Sequence, residues 1–546
     1  MRASRMAIWG RTLSLMALAT TVALTTGCPG DDKGGTDGGP DGGPDNGGQS
    51  LTVTGKVTYD FVPAIYAPSS GSGTLDFAHA SERPARNVKV QAMQGTTVLA
   101  STNADDQGNY QLTFSLGASA SASIVALAQT TTPSILVEDN TSGNAIWAIS
   151  DSVSAGTTVK NLHATHGWNG TSFDSAKRTA APFAILDSMY TASKAFMAVR
   201  PVNFPPLKVN WSPNNVPESG TKSQGFIGTS HYTSQEKQIY VLGKAGVDTD
   251  EFDSHVIVHE WGHYFEDNLS RSDSPGGPHG PGDKLDPRIA FGEGYGNALA
   301  AMLLPESVYA DTNWGGSNGS LTAFGFDAET APAPTDDLVP GAFSEMSVLR
   351  LLYDLYDSGT NESYDQVGVG LGVIYDVLVG GEKTTDALTT IGSFITVLKA
   401  QPGVNAAAVD TLLAHYNMGP ISTAFGTGDE GQDGLHAMYA TVSALPYNNT
   451  SITLDGGYEY NTWQQNQYFV FTGNGSSITV TANSGSDVAI AAYLKGTVVG
   501  QSDNTLSGTE SFNFTSQLNA TYVLVLTGFE KNLRSGYSVS LSIKSP

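Results

Sequence analysis

The chain has 546 residues, of which 52 are acidic and 27 are Lys or Arg, so its formal net charge is −25. At about 100 to 200 residues per domain, this length predicts three or four compact units and excludes a single one. The acidic excess would repel phosphate backbones and anionic lipid surfaces, which excludes nucleic acid as a partner. Only 14% of the residues are charged and 62 are Gly, a composition typical of an extracellular, β-rich protein.

The first 28 residues have the pattern of an export signal. Arginines precede an apolar run from Leu13 to Leu24 that is too short to cross a bilayer. Cys28 follows Gly27 and is the only cysteine, so no disulfide can form within the chain. A small residue before Cys resembles the lipobox of bacterial lipoproteins, which implies cleavage and lipidation at Cys28. The alternative is a plain secretory signal in which the cysteine is incidental.

Residues 29–50 are almost wholly Gly, Asp and Pro, and such a segment cannot bury enough apolar surface to fold. We expect a flexible tether here. The protein would then be exported, either as a cell-surface or outer-membrane lipoprotein of a bacterium or in secreted form. It would contact a membrane only through its lipid anchor.

Residues 51–130 carry alternating or β-branched segments between turn clusters, which predicts a β-sandwich. Pro84–Val90, Thr102 and the turn Asp106–Tyr110 resemble the carboxypeptidase regulatory-like (transthyretin-like) domain, a likeness that implies no catalysis. Asp105 and Asp106 could bind calcium, but Asp and Asn before Gly are commoner as turn formers. Residues 131–179 form a connecting segment.

Helical periodicity dominates residues 180–445, and two strands precede the central helices, so this domain is predicted to be α+β and mainly α around its site. Residues 446–546 return to short strands between turns, which predicts a C-terminal β-sandwich. Its strand spacing and the strand Tyr522–Leu526 resemble the pre-peptidase C-terminal domain of secreted bacterial peptidases. The predicted helices are Ala180–Val199, Phe252–Leu269, Ile289–Leu304, Phe343–Tyr356, Val367–Val379, Thr385–Ala400 and Asn405–Tyr416.

The motif His259-Glu260-Trp261-Gly262-His263 carries the chemistry of the central domain. Positions four apart stack on one helix face, so His259 and His263 can present two imidazole nitrogens to one Zn²⁺. Glu260 lies about 100° round the helix, where it can act as a general base on water. Four acids precede the helix and are expected to cap it and oppose its dipole: Asp248, Asp250, Glu251 and Asp253.

A third ligand is required, and Leu269 occupies the position where a metzincin would carry its third His. Glu293, thirty residues after His263, can complete a His, His, Glu set of the gluzincin class. Asn297, one helical turn later, lies where these enzymes carry an Asp that bonds the far nitrogen of the first ligand His. His255 and His279 are alternative ligands in place of Glu293.

Several segments together resemble fungalysin-type (M36) peptidases over residues 180 to 440. They are Asp250–Asp253, the HEWGH core, Gly292–Gly294, Ser344-Glu345 and Leu352–Tyr356. The resemblance implies a thermolysin-like zinc peptidase core in which His259, His263 and Glu293 bind the metal.

The chain departs from this family at two positions. Asn297 replaces the family's Asp, and Gly341 occupies the place of a His thought to steady the oxyanion. The oxyanion donor is therefore left open among several candidates. They are Arg350, Tyr353, Tyr356, His415 and His436.

The sequence thus predicts a zinc endopeptidase acting on proteins or peptides, with β-sandwiches on both sides of the catalytic core. The acidic turn Asp429–Gly434 lacks the ligand spacing of a calcium loop, so calcium has no support there. The rival hypothesis is a surface lipoprotein that binds a protein or glycan through a catalytically weak or inactive peptidase scaffold. Oligomeric state is not readable from the sequence. A further alternative is that residues 51–170 are a cleaved propeptide.

Overall fold

The computed structural model describes residues 49–280, 282–316, 319–330, 337–357, 362–426, 438–456, 461–530 and 536–545. The predicted signal, the lipidation residue Cys28, nearly all of the tether, the turn 429–434 and His436 lie outside the described residues. Within those residues, no helix has the length and apolarity needed to cross a membrane.

Seven α-helices occur in the described part of the chain, and each lies within a predicted helical segment or overlaps it closely. They are α1 Ala181–Val199, α2 Ser254–Asn268, α3 Pro287–Leu303, α4 Glu345–Tyr356, α5 Gly370–Val377, α6 Ile391–Lys399 and α7 Ala406–His415.

The start of α3 shows why helices begin where they do. Asp286 accepts the Arg288 N–H at 3.0 Å, and Pro287 occupies the first turn, where its missing N–H costs nothing.

The acids before α2 were predicted to cap that helix, and for Asp253 this prediction is wrong. That residue holds the N-cap position, but its side chain makes no cap bond. Its carboxylate instead accepts hydrogen bonds from Thr312.

Nineteen strands precede α4 among the described residues, and β1 begins two residues before the predicted boundary at Leu51. They are β1 Gln49–Phe61, β2 Ala64–Ala67, β3 Ser72–Leu75, β4 Ser81–Pro84, β5 Val88–Gln94, β6 Thr97–Asn103, β7 Asn109–Leu116, β8 Ser121–Thr130, β9 Ile135–Asp139, β10 Ala145–Ile146, β11 Ala148–Ser154, β12 Leu162–Ala164, β13 Leu207–Trp211, β14 His231–Thr233, β15 Gln238–Val241, β16 Gly243–Lys244, β17 Asp248–Thr249, β18 Val308–Asn313 and β19 Thr322–Asp327.

The largest sheet has the order β14-β15-β13-β9-β8-β5-β6, with β10 and β11 attached to β9 and β8. Its two halves join where Gln129 pairs with Leu136, so the sheet crosses the predicted boundary at residue 130. A second sheet forms around β1, which pairs with β4, β7 and β12. A third, in the order β16-β17-β18-β19, lies next to the start of α2. The strand β14 is an edge of the largest sheet among the described strands.

The helices of the central domain pack in chain order. Helix α2 contacts α1 and α3, and α3 also contacts α4. Every residue of α3 is buried, although the helix contains a glutamate and an asparagine. Burial of polar groups in the middle of a helix requires partners for them, and these partners form the candidate site.

The C-terminal strands form two facing sheets, so the predicted multidomain architecture with β-sandwich structure is confirmed. One sheet has the order β20-β22-β27-β24-β25 and the other β21-β28-β23-β26. The strands are β20 Tyr439–Thr441, β21 Tyr447–Leu454, β22 Asn466–Thr472, β23 Ser477–Ser484, β24 Val488–Leu494, β25 Thr497–Ser502, β26 Gly508–Thr515, β27 Thr521–Gly528 and β28 Tyr537–Lys544.

The sandwich packs firmly against the helical domain. Strands β24 and β27 are buried along almost their whole length because both of their faces are covered. One face meets the second sheet, and the other packs with Trp463 and Tyr468 against Phe343. Asp286 at the start of α3 forms a buried ion pair with Arg288 and accepts a hydrogen bond from the Tyr468 hydroxyl. The sandwich therefore contacts the helix that carries Glu293.

Candidate metal centre and active site

Three predicted ligands meet at one point between α2 and α3. Nε2 of His259 lies 3.0 Å from Nε2 of His263 and 3.2 Å from Oε2 of Glu293. Nε2 of His263 lies 3.4 Å from the same carboxylate oxygen. The three atoms form a cluster within 4.8 Å that could hold a metal ion. Two imidazoles and one carboxylate are the donor set of a catalytic zinc site that keeps an open position.

Asn297 lies behind this cluster, as the helical spacing predicts. Its Oδ1 lies 2.8 Å from Nδ1 of His259. An amide oxygen can only accept, so Nδ1–H donates and Nε2 keeps its lone pair on the side of His263 and Glu293. This bond fixes the tautomer that a metal ligand needs.

Glycine in α3 allows the two helices to approach closely enough for these contacts. A Cβ atom at Gly296 would lie 2.8 Å from Nδ1 of His259, and one at Gly294 would lie 2.7 Å from the side chain of Val348. Real Cβ atoms essentially never make contacts this short. The Gly-Glu-Gly-Tyr-Gly segment therefore permits α3 to pack between α2 and α4 and places Glu293 beside the histidines.

The charges at the site favour a bound cation. Burial opposes ionisation of Glu293, but the neighbouring His279 and His263 outweigh this and hold its pKa well below the usual range. Burial likewise lowers the pKa of His263, but the carboxylates of Glu293, Glu260 and Glu266 together outweigh this and raise it to about 9. A carboxylate that binds protonated imidazoles in this way is placed to bind a metal ion between them instead.

Glu260 points toward the same cleft and is held by the sheet. Its Oε2 accepts the backbone N–H of Tyr232 at 2.7 Å, so the edge strand β14 fixes the carboxylate. The Tyr232 hydroxyl in turn donates to Asp267 at 2.8 Å, one turn after His263 on α2. Strand β14 and helix α2 are thereby connected on both sides of the Glu260 carboxylate.

His279, which the sequence offered as an alternative ligand in place of Glu293, lies beside Glu293 and outside the ligand cluster of the described residues. Nε2 of His279 lies 3.3 Å from Oε2 of Glu293, and Nδ1 lies 2.6 Å from Oε2 of Glu345 at the start of α4. Burial lowers its pKa, but the two carboxylates raise it to about 11. The only sequence signal was a histidine in a Gly/Pro-rich loop, which carries no periodicity from which a position could be inferred.

The other sequence candidates lie elsewhere. His255 is buried on α2, and its Nε2 lies 2.9 Å from the backbone oxygen of Glu306, away from the ligand cluster. Four oxyanion candidates are absent from the described lining of the cleft: Arg350, Tyr353, Tyr356 and His415. His415 stacks on the ring of Tyr364 instead. Gly341 has a φ of 148°, and a Cβ there would contact the ring of Phe343.

The site opens into a cleft of about 1100 Å³. Residues 229–235, which include β14, form one wall, and the loop 272–280 forms another. Tyr493, Gly496 and Val498 of the C-terminal sandwich also line it. The cleft is strongly acidic, with carboxylates from the following residues: Asp248, Asp250, Glu260, Glu266, Asp267, Asp273, Glu293, Asp311 and Glu345.

Comparison with known proteins gives little further information. No protein-family model matches the chain, and no curated protein matches it. A solved pre-peptidase C-terminal domain of collagenase from Bacillus anthracis is 12% identical with a TM-score of 0.16, over 19% of this chain and 94% of that one. PliG of Aeromonas hydrophila, a periplasmic inhibitor of g-type lysozyme, is 10% identical with a TM-score of 0.15, over 20% and 96%. Likenesses at these TM-scores carry no inference, so the site rests on its own geometry.

Proposed function

We propose that this chain is a zinc-dependent endopeptidase with a thermolysin-like core, exported and anchored to a membrane through a lipid on Cys28. The observation that carries the proposal is the convergence of Nε2 of His259, Nε2 of His263 and Oε2 of Glu293 beside the anchored carboxylate of Glu260. The resemblance of the HEWGH and Gly-Glu-Gly segments to fungalysin-type peptidases supports the same function.

The three ligands fit zinc because two imidazole nitrogens and one carboxylate oxygen leave room for water or substrate at a fourth position. When bound there, zinc supplies Lewis acidity, which polarises a scissile carbonyl and lowers the pKa of water towards about 7. Asn297 keeps His259 in the ligand tautomer through its 2.8 Å bond to Nδ1.

Glu260 performs the proton transfers of hydrolysis. Tyr232 N–H binds Oε2, so Oε1 is the oxygen that takes a proton from the attacking water. The carboxyl group then gives this proton to the amine nitrogen as the peptide C–N bond breaks. One water is consumed, and a carboxylic acid and an amine are released.

We assign the stabilisation of the oxyanion to His279. Glu345 binds Nδ1 at 2.6 Å and so directs Nε2 toward the ligand cluster. Without metal, both carboxylates raise the pKa of His279 to about 11, and with Glu293 bound to zinc the Glu345 carboxylate would still favour the cationic ring. A fixed cation close to the reacting carbonyl stabilises the negative charge that develops on its oxygen.

The substrate is proposed to be an extended protein segment. Strand β14 pairs only with β15 among the described strands, so its other edge faces the cleft, where the Tyr232 N–H binds Glu260. A peptide can add to such an edge through main-chain hydrogen bonds.

Zinc analysis with a casein hydrolysis assay tests the proposal. Glu260→Gln should retain one zinc per chain and lose about 10²- to 10⁴-fold in hydrolysis, because the variant lacks the base but keeps the ligands. Glu218→Gln is the matched control, because this carboxylate is exposed and does not line the cleft, and the variant should retain zinc and most activity. A zinc-loaded wild type that leaves casein intact would contradict the proposal and favour an inactive scaffold that binds a partner.

A second pair of variants tests the oxyanion assignment. His279→Ala should keep zinc and lower kcat by about 10²- to 10³-fold with little change in KM. Glu345→Gln should also lower kcat, but by a smaller factor than His279→Ala. Unchanged kcat in His279→Ala would refute the assignment without affecting the metal or the base.

A further inference from the structure

Three aspartates outside the zinc ligand set converge near the start of α2. They are Asp248 on β17, Asp250 in the 3₁₀ turn Asp250–Phe252, and Asp311 on β18. One carboxylate oxygen from each lies within 4.8 Å of the other two. All three side chains line the cleft, so a solvent ion can reach them.

Two of these carboxylates have buried oxygens that lack donors. Asp250 is 4% exposed, and its Oδ2 accepts the Ser230 hydroxyl at 2.5 Å, whereas its Oδ1 is buried with no hydrogen-bond partner among the described residues. Oδ1 of Asp248 is likewise buried with no hydrogen-bond partner among the described residues. A buried acceptor without a donor is costly, so these atoms point to a ligand that supplies positive charge.

No described Lys or Arg forms an ion pair with these three aspartates. Burial raises the pKa of Asp248 to about 6, although the contact with the Asp250 side chain opposes this rise. Burial and the charge of Asp248 raise the pKa of Asp311 to about 7. Burial, followed by repulsion from Asp248 and Asp311, raises the pKa of Asp250 well above its usual range. A nearby fourth acid, Asp253, differs because Thr312 donates to both of its oxygens.

We propose that Asp248, Asp250 and Asp311 form a second metal site, distinct from the zinc ligands, that binds one calcium ion. Its ligands are all oxygens, which hard cations prefer, whereas zinc prefers nitrogen and sulfur. Calcium accepts six to eight oxygens in flexible geometry, so three carboxylates and water from the cleft can complete its shell. Magnesium demands a tighter octahedral arrangement.

The site connects to the general base through a short path. Asp250 accepts the hydroxyl of Ser230, and the Leu242 N–H donates to that hydroxyl oxygen at 2.9 Å. Two residues later, Tyr232 N–H binds Glu260. Calcium would therefore join β17 and β18 to the segment that begins β14 and would position Glu260. Only this last consequence rests on the proposed peptidase function; the binding of calcium does not.

The test uses the full mature chain with Glu260→Gln, loaded with one equivalent of zinc, so that self-cleavage cannot interfere. Calorimetric titration with CaCl₂ should show one saturable site. The Kd for MgCl₂ should be higher than that for CaCl₂ by a factor on the order of ten or more. Calcium at about 100 times its Kd should raise Tm by about 5 °C. Asp311→Asn should weaken calcium binding on the order of tenfold or more, because one charged ligand is lost.

The matched control is Asp327→Asn on the adjacent strand β19. This variant should bind calcium with the same Kd as its parent. In calcium-free buffer, Asp311→Asn should melt at the same or a higher temperature than the parent, because it removes repulsion. Absence of a saturable calcium site in the zinc-loaded protein would overturn the proposal. So would an Asp311→Asn variant that binds calcium like its parent, or magnesium binding as tight as calcium binding.

Discussion

Gly296→Ala should damage the metal site without disturbing the rest of the fold. An added Cβ would lie 2.8 Å from Nδ1, 2.9 Å from Cε1 and 3.1 Å from Cγ of His259. An ordinary contact needs about 3.5 Å, so the ring must move by about 0.7 Å. Zinc–ligand distances tolerate only about 0.2 Å. We expect zinc affinity to fall about 10- to 100-fold, which is about 1.4 to 2.7 kcal/mol.

The assay is competition for zinc with a chromophoric chelator, together with a thermal melt of the metal-free protein. Gly292→Ala is the matched control, because its Cβ would meet nothing closer than Oε2 of Glu266 at 3.6 Å. This control should bind zinc normally and can gain about 1 kcal/mol of stability from helix propensity. Wild-type zinc affinity in Gly296→Ala would refute the argument that glycine is needed for the approach of α3 to His259.

Three further predictions concern other parts of the molecule. Asn297→Asp should tighten zinc binding by about tenfold in the same competition assay, because a carboxylate makes His259 a more basic ligand. Burial lowers the pKa of His255 to about 4, below its unfolded value of about 6.5, so its contribution to stability is present above pH 6.5 and is lost as pH falls. Between pH 7 and pH 5, His255 should lower the free energy of unfolding by about 2 kcal/mol. In urea unfolding, His255→Gln should therefore lose about 2 kcal/mol less than the parent over this pH range. Tyr468→Phe should cost about 1 to 3 kcal/mol in urea unfolding, because buried Asp286 loses a donor; a loss below about 0.5 kcal/mol would contradict this.

The helices that carry the ligands were predictable because their information is local. Helical spacing places His259 and His263 on one face, and the same spacing relates Glu293 to Asn297. Each pair repeats at four residues, and the structure brings both pairs together. The contacts of Gly296 with His259 and of Gly294 with Val348 could be identified only in three dimensions.

Features that depend on contacts between distant segments were not predictable in the same way. The sequence suggested that Asp253 would cap α2, but Thr312, fifty-nine residues later, provides it with better donors. The aspartate cluster was not recognised because Asp311 comes from a strand beyond α3. The sheet that crosses residue 130 depends on the pairing of Gln129 with Leu136, and no local pattern specifies this register.

The two departures from the fungalysin pattern have different physical consequences. At Asn297 only the charge changes, and the bond to Nδ1 of His259 retains its geometry, so the ligand is still oriented. At Gly341 the whole side chain is missing, and with it any charge that a histidine would carry. His279 enters from a different loop and is held by Glu345, the acid that starts α4 and belongs to the same resembling segment. A peptidase needs a positive group beside the reacting carbonyl but does not need it from a fixed position in the sequence. The loss of one histidine is therefore compatible with activity when another element supplies the charge.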